Sequence, residues 1–289
     1  MTRFVTGLAL SLILGGAIVA QESGLPSTPP RQFGASVTGA FDGWFDNADG
    51  SRSLLVGYYS RNTRQVIDVP IGPNNRIEPG GPDLGQPTHF LPGRNVGMFT
   101  VRVPRGFTPP QELVWTLTVN GQTTRIPLRT KPDYFVSPMG GGETGNVPPV
   151  VRFTEHGPAI TGPVAHTAVL TRTTTVGTPL PLTVWVTDDA RYNSATGVPA
   201  RSTVPPIAVH WTKYRGAGEV QFTGATPPIE VLAGGTQGVP YAGRSLTEAR
   251  FSAPGEYLLH LTVNDYSGEG GGGEVCCWTS ALVGVTVTP

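Results

Sequence analysis

The stretch Phe251-Ser-Ala-Pro-Gly-Glu-Tyr-Leu-Leu-His-Leu-Thr-Val-Asn-Asp265 decides the fold. Pro254-Gly255 makes a turn, because proline presets its own φ and glycine accepts backbone angles that other residues resist. Behind the turn, Tyr257, Leu259, Leu261 and Val263 alternate with Leu258, His260, Thr262 and Asn264. A period of two sends successive side chains to opposite faces, so this is a strand with one face buried. The same pattern extends outward along the chain. Leu182, Val184 and Val186 make a strand ending at Asp188-Asp189, and Ile207, Val209 and Trp211 make the next. Glu219–Thr223 and Glu248–Ser252 follow, and Cys277, Thr279, Ala281, Val283, Val285 and Val287 share the buried parity of the last strand. This parity predicts Trp211 in the core and Trp185 outside it.

Composition extends the reading to the whole chain. The 289 residues include 39 glycines and 29 prolines, roughly twice ordinary usage, and only 14% are charged against about 25% in average domains. Val, Thr, Leu and aromatic residues fall in short runs between Gly/Pro turns, and the sequence carries no amphipathic run of helix length; the expected class is all-β. Twenty basic and twenty acidic residues balance to zero, which leaves no electrostatic footprint for nucleic acid. Residues 1–20 read as a signal peptide: Arg3 leads, an apolar core runs from Phe4 to Val19, and Ala17-Ile-Val-Ala20 supplies a small residue at the cut with an aliphatic one two before it. The alternative is an N-terminal membrane anchor, for which the apolar run is short. No cysteine follows it to carry a lipid. The expected location is secreted or periplasmic, with the membrane met only through the signal peptide during export.

Two β domains are expected. The first spans 33–128. Its clearest piece is Leu113-Val-Trp-Thr-Leu-Thr-Val119, then Asn120-Gly121, then Gln122 to Leu128. Asn-Gly favours a two-residue type I′ hairpin turn, and Trp115 shares its face with Leu113, Leu117 and Val119. Ser53–Ser60, Gln65–Val69 and Gly97–Val103 are further strands. The long Pro/Gly-rich segment 71–95 reads as either a binding loop or a disordered one. Residues 129–150 read as a Pro/Gly-rich linker and 151–289 as the second domain.

Val209-His-Trp-Thr-Lys-Tyr-Arg-Gly-Ala-Gly-Glu-Val-Gln-Phe222 together with Ala249–Asp265 is similar to PKD-like and related bacterial immunoglobulin-like domains. Tyr257, just after a turn and at the start of a strand, resembles the tyrosine corner of those sandwiches. The resemblance covers about the last half of the chain, which departs from it by an insertion at Ala190–Pro206. It implies two immunoglobulin-like β-sandwiches in tandem after the signal peptide. It also implies the usual employment of such domains as spacers, adhesion modules or accessory binding modules of secreted proteins. In the first half, Gly43-Trp-Phe-Asp-Asn-Ala-Asp-Gly50 and Gly85-Gln-Pro-Thr-His-Phe90 resemble uncharacterised secreted bacterial proteins, which implies no activity.

Two groups of residues are candidates for function. In an immunoglobulin topology the second and sixth strands finish at the same end, which gathers Asp188, Asp189 and Asp265 with Glu269 of the following Gly-rich loop. Calcium takes six to eight oxygens at flexible geometry, so this end is the candidate metal site and calcium the one candidate cofactor. The competing reading has these acids ending strands and capping turns. Asp46-Asn-Ala-Asp-Gly-Ser51 lacks the distal ligands of a calcium loop and reads as a turn. The second group is His210, His260 and Trp278, which parity points away from the core on neighbouring strands. An exposed patch of this kind would take a sugar ring or a protein partner; cover by a loop or by the first domain is the competing reading. Cys276 and Cys277 enclose too little chain to staple the fold, and are expected as two thiols, one inward and one outward, with a vicinal disulfide as the alternative. Gly-x-Ser-x-Gly, His-Glu-x-x-His and Cys-x-x-Cys are absent from the sequence, and the five histidines are scattered. The expected role is non-catalytic binding or structural spacing at the cell surface, with a protein or polysaccharide partner. A carbohydrate-binding accessory module comes second and an enzyme third. On this reading the exported chain begins near Gln21, which the intact mass of the exported protein checks; a mass retaining residues 1–20 would mean an anchor instead.

Overall fold

Short runs of alternating apolar residues, many bounded by glycine or proline, fold as strands throughout the computed structural model, which describes residues 29–140, 145–163, 167–191, 207–234, 239–265 and 276–289. The first half holds β1 (Val37–Asp46), β2 (Arg52–Ser60), β3 (Ile67–Asp68), β4 (Asn75–Glu78), β5 (His89–Phe90), β6 (Gly93–Val103), β7 (Leu113–Val119) and β8 (Gln122–Leu128). A 3-10 turn at Pro132–Tyr134 precedes the second half. There follow β9 (Val150–Arg152), β10 (Leu170–Thr175), β11 (Leu180–Asp188), β12 (Ile207–Arg215), β13 (Val220–Phe222), β14 (Ile229–Ala233), β15 (Tyr241–Phe251), β16 (Gly255–Asp265) and β17 (Trp278–Thr288). The protein is all-β.

In the first half, sheet β1-β2-β6 faces sheet β4-β7-β8. These are the A-B-E and C-F-G strand orders of an immunoglobulin sandwich. Trp115, Tyr58, Phe90, Phe99, Leu54 and Ile77 are fully buried between them. Phe99 meets Trp115 edge-on with ring centroids 5.4 Å apart. A buried indole needs an acceptor, and Trp115 Nε1 donates to Asn75 Oδ1 at 3.0 Å. Asn75 in turn donates to the carbonyls of Val69 at 3.0 Å and Pro87 at 2.8 Å, so one core amide ties the chain entering the 71–95 segment to a point within it. The β7–β8 hairpin turns at Asn120 and Gly121, both with positive φ, as the Asn-Gly pair predicts.

In the second half, sheet β10-β17-β16-β12 packs on β9-β11-β15, whose far edge carries β13 and β14. β10 runs parallel to β17 and every other pairing in these two sheets is antiparallel, the A′-G-F-C and A-B-E-D arrangement of an immunoglobulin-like sandwich. Tyr257 makes the corner: its hydroxyl donates to the Ala253 carbonyl at 2.7 Å and accepts from the Gly218 amide at 3.0 Å. A Cβ on Gly216, at φ +143, would stand 2.1 Å from the Tyr257 ring, so the loop can close over this ring only as glycine. Trp211 is 1% exposed, while Trp185 is only half-buried, in line with the strand parity.

Two features join the halves. Tyr214 on β12 and Leu282 on β17 belong to the first half's hydrophobic core although their strands belong to the second half. Residues 131–136 and Asn146 meet the two halves: Trp44 Nε1 donates to the Lys131 carbonyl at 2.6 Å, Val136 N donates to the Trp44 carbonyl at 2.9 Å, and Asn146 Nδ2 donates to Asp265 Oδ2 at 2.7 Å. The expectation of two free thiols is corrected. Cys276 and Cys277 are bonded to each other across a cis peptide, and both are buried. Neither faces outward because the end of the second sandwich where they lie is covered. The register beyond them is regular, Asn264 opposite Trp278 and Val263 opposite Thr279.

Replacing a fully buried large aromatic typically costs about 3–5 kcal/mol. Trp211→Ala should lose that much in denaturant melts and Trp185→Ala less than about 1 kcal/mol; equal losses would contradict the assigned strand faces.

Candidate functional site

The outer face of the β12–β16–β17 sheet is polar where an isolated sandwich would meet water. Pairing sets Thr212 opposite His260, His210 opposite Thr262 and Ala208 opposite Asn264, and Asn264 in turn lies opposite Trp278. The first half lies across this face. Leu91 and the Arg94–Met98 part of β6 form the facing wall, and the two walls enclose a cleft of about 530 Å³.

The wall from the first half is built around a buried acid. Asp42 sits where β1 bulges between Phe41 and Gly43, and its side chain is 4% exposed. It accepts a hydrogen bond from the Gly97 amide at 2.7 Å and pairs with Arg94. Arg94 also donates to the Tyr58 carbonyl at 3.1 Å. Burial pushes the Asp42 carboxyl above its ordinary pKa, and Arg94 and the Gly97 amide offset only part of that rise. A Cβ on Gly57 would lie 2.2 Å from the Asn95 carbonyl oxygen, so glycine lets β6 approach here. Gly97 has φ +57, and a Cβ there would lie 2.4 Å from the Trp278 ring. Trp278 therefore fits against bare backbone, in a small cluster with Phe45, Leu55 and Val136.

The opposite wall carries the histidines. His260 is 3% exposed and stacks on Tyr214 with ring centroids 5.7 Å apart. Its Nδ1 lies 3.3 Å from Thr262 Oγ1, while its Nε2 and the buried Thr212 Oγ1 have no hydrogen-bond partner. Burial, reinforced by the charge of His210, drives the His260 pKa down to about 4. His210 stands exposed at the mouth, its Nδ1 3.0 Å from Thr226 Oγ1.

Segment 71–95, read from sequence as a binding loop or a disordered one, grips the edge of β12. Asp83 takes a two-pronged pair from Arg215 at 2.8 and 2.9 Å, and Arg215 Nε donates to the Gln86 carbonyl at 3.0 Å. The Tyr214 hydroxyl donates to the Gly85 carbonyl at 2.5 Å, and the Thr88 amide donates to the Tyr214 carbonyl at 3.2 Å. The register of β12 slips between Lys213 and Arg215, which takes Arg215 out of core parity and lets it reach Asp83. The Lys213 ammonium lies 3.4 Å from Asp68, whose carboxyl also meets His89 Nδ1 at 2.8 Å. Burial pushes the Asp68 carboxyl up, but these two partners more than offset it and hold its pKa below the ordinary value.

The sequence-predicted ligand residues His210, His260 and Trp278 thus line one cleft together. His260 and Trp278, expected to be exposed, are buried, because the first half covers them. The acids end strands and take backbone and side-chain donors. Asp188 Oδ2 accepts from the Ala190 amide at 2.9 Å, Asp189 Oδ1 accepts from the Arg191 amide at 3.1 Å, and Asp265 accepts from Asn146. Glu269 lies outside the described residues. Among the described residues, no three His, Cys, Asp or Glu side chains gather closely enough to hold a metal ion. Sequence reasoning missed Arg94, Asn95, Met98, Thr212 and the buried Asp42. Only the paired glycines at 57 and 97, each out of place in a strand, mark the approach of another chain segment.

No protein-family model matches the chain, and no curated protein matches it. Solved structures that resemble it include domains 4 and 5 of the S-layer protein SbsC, at 11% identity and TM-score 0.21, covering 62% of this chain and 66% of that one, just under two thirds. The D00-D0 domain of intimin aligns at 9% identity and TM-score 0.24 over 88% of this chain and 100% of that one. A protein of unknown function from Porphyromonas gingivalis W83 aligns at 9% identity and TM-score 0.23 over 86% of this chain and 99% of that one. Among the described residues, no helix is long and apolar enough to cross a membrane.

The depressed pKa of His260 has a pH signature. Between pH 4 and about 6.5 the unfolded chain binds a proton on this histidine that the folded chain refuses, so stability rises with pH through that window and is lost as pH falls through it. From pH 7.5 down to 4.5 this group alone should remove about 2–3 kcal/mol. Denaturant melts of the wild type and His260→Gln across the window check it: the wild type should lose more stability than the variant by that amount, and parallel curves would contradict the assignment.

Proposed function

We propose that the protein works outside the cytoplasm as a non-catalytic binding and structural module, in which one immunoglobulin-like sandwich is held against the other to form a recessed site. The observation that carries this reading is the docked cleft itself. Its floor belongs to the second half, its facing wall to the first, and Arg215, Tyr214 and Trp278 hold the two together. A surface or spacer protein gains from this arrangement because a fixed pair of sandwiches holds a site without a mobile hinge. The chemistry in the cleft suits holding rather than turnover: His210 and His260 each present Nδ1 to a threonine hydroxyl instead of to a carboxylate that would orient an imidazole as a base. The apolar leader-like residues 1–20 support export.

The test is location. The full-length chain, produced in a Gram-negative host, should be recovered in the periplasm or medium and be digested by protease only after the outer membrane is opened or outside the cell. Recovery in the cytosol at full length would contradict the reading.

A further inference from the structure

We propose that the cleft floored by His260 and Thr212 binds a neutral, hydroxyl-rich ring, either a free sugar or a sugar unit of a polysaccharide. This inference rests on the non-catalytic reading above and adds the chemistry of the ligand. Its starting point is a pair of orphans. His260 Nε2 and Thr212 Oγ1 are both buried, both lack a partner, and belong to directly opposed residues on neighbouring strands. Other buried polar atoms of the described residues also lack a partner, Trp211 Nε1 and Tyr241 Oη among them, each at a cost because the group has given up water and gained nothing. This pair differs in belonging to facing residues that line a cleft open to solvent, where a ligand hydroxyl supplies the missing partner. A hydroxyl group both donates and accepts, so one ligand hydroxyl can satisfy the pair whichever nitrogen of His260 carries the proton.

The rest of the lining points the same way. Leu91, Val96, Met98 and Trp278 offer apolar surface for the C–H faces of a ring, and Asn95, Asn264 and His210 offer further donors and acceptors. Charge argues for a neutral ligand. Arg94, the cation of the lining, is already matched by buried Asp42, and His260 stays uncharged above about pH 4. An anionic ligand would find its obvious partner occupied. The volume of about 530 Å³ falls inside the roughly 300–1,000 Å³ range of small-molecule sites and exceeds what one or two trapped waters need.

The experiment uses the full mature chain. Methyl glycosides of glucose, galactose, mannose and N-acetylglucosamine are tested by saturation-transfer NMR and calorimetry, and cellulose, chitin and mannan by co-sedimentation. The first arm detects a site for a free sugar and the second a site that needs a chain. At least one probe should bind. Thr212→Val keeps the shape of threonine and removes the hydroxyl, so it should weaken that probe by about tenfold or more while leaving the melting temperature equal or higher, because a buried orphan has been deleted. Should His260→Leu fail to fold, Thr212→Val and the exposed His210→Ala still decide the matter. A folded protein that binds none of the probes overturns the assignment. So does binding that Thr212→Val leaves unchanged, and so does a lower melting temperature for Thr212→Val with no loss of binding, which would mean that the hydroxyl serves the fold. An exported protein that binds no probe fails on ligand alone; a protein held in the cytosol fails on the reading beneath it.

Discussion

Trp278 lies between the two halves because Gly97 has no side chain, and the arrangement of the rest follows from that contact. Trp278 leaves the outer face of β17, where an isolated sandwich would show it to water, and settles against the backbone of β6 among Phe45, Leu55 and Val136. Asp42 fixes the backbone that receives it by accepting the Gly97 amide. The same carboxylate holds Arg94, so one buried acid sets both the docking surface and the polarity of the wall beside it. The cleft exists because docking is offset: the first half covers Trp278 and His260 but leaves His210 at an open mouth.

Magnitudes decide what holds the halves together. The Arg215–Asp83 pair has good two-pronged geometry but lies partly in water, where such pairs contribute roughly 0–1 kcal/mol. Its role is orientation. Burial of large apolar side chains is worth about 1.5–3 kcal/mol each, and Tyr214, Leu282 and Trp278 all find theirs at this junction. The hydrophobic term therefore dominates, and the ion pair and the Tyr214 hydroxyl select one docked geometry among those that burial alone would accept. Tyr214 also couples the junction to the site, since the ring inserted into the first core is the ring on which His260 stacks.

Features governed by local periodicity were legible in the sequence. The alternation from Tyr257 to Asn264 located a strand and its buried face, Asn120-Gly121 located a hairpin, and Tyr257 made the corner its position implies. The parity that set Trp211 apart from Trp185 also gathered His210, His260 and Trp278 on one face. What covers that face was not legible, because cover is a contact between residues far apart in the chain and leaves no period. Segment 71–95 illustrates the limit. Its Pro/Gly composition says only that it is neither helix nor regular strand, whereas its work depends on Asp83, Gly85 and Gln86 meeting Arg215 and Tyr214. The cysteines show it again: strand parity turned one of Cys276 and Cys277 outward, but both are buried, with Cys277 lying against the Asn146 carbonyl from a distant part of the chain.

A shared core means that the halves should lose structure together. Hydrogen exchange followed by mass spectrometry across a guanidinium titration reads this directly, by comparing amides of β7 in the first core with amides of β11 in the second. The account predicts a common midpoint for both in the wild type and separate midpoints in Gly97→Val, whose side chain would strike the Trp278 ring. Two well-separated midpoints in the wild type would mean that the halves fold independently, and would contradict the docked cleft as the organising feature of the molecule.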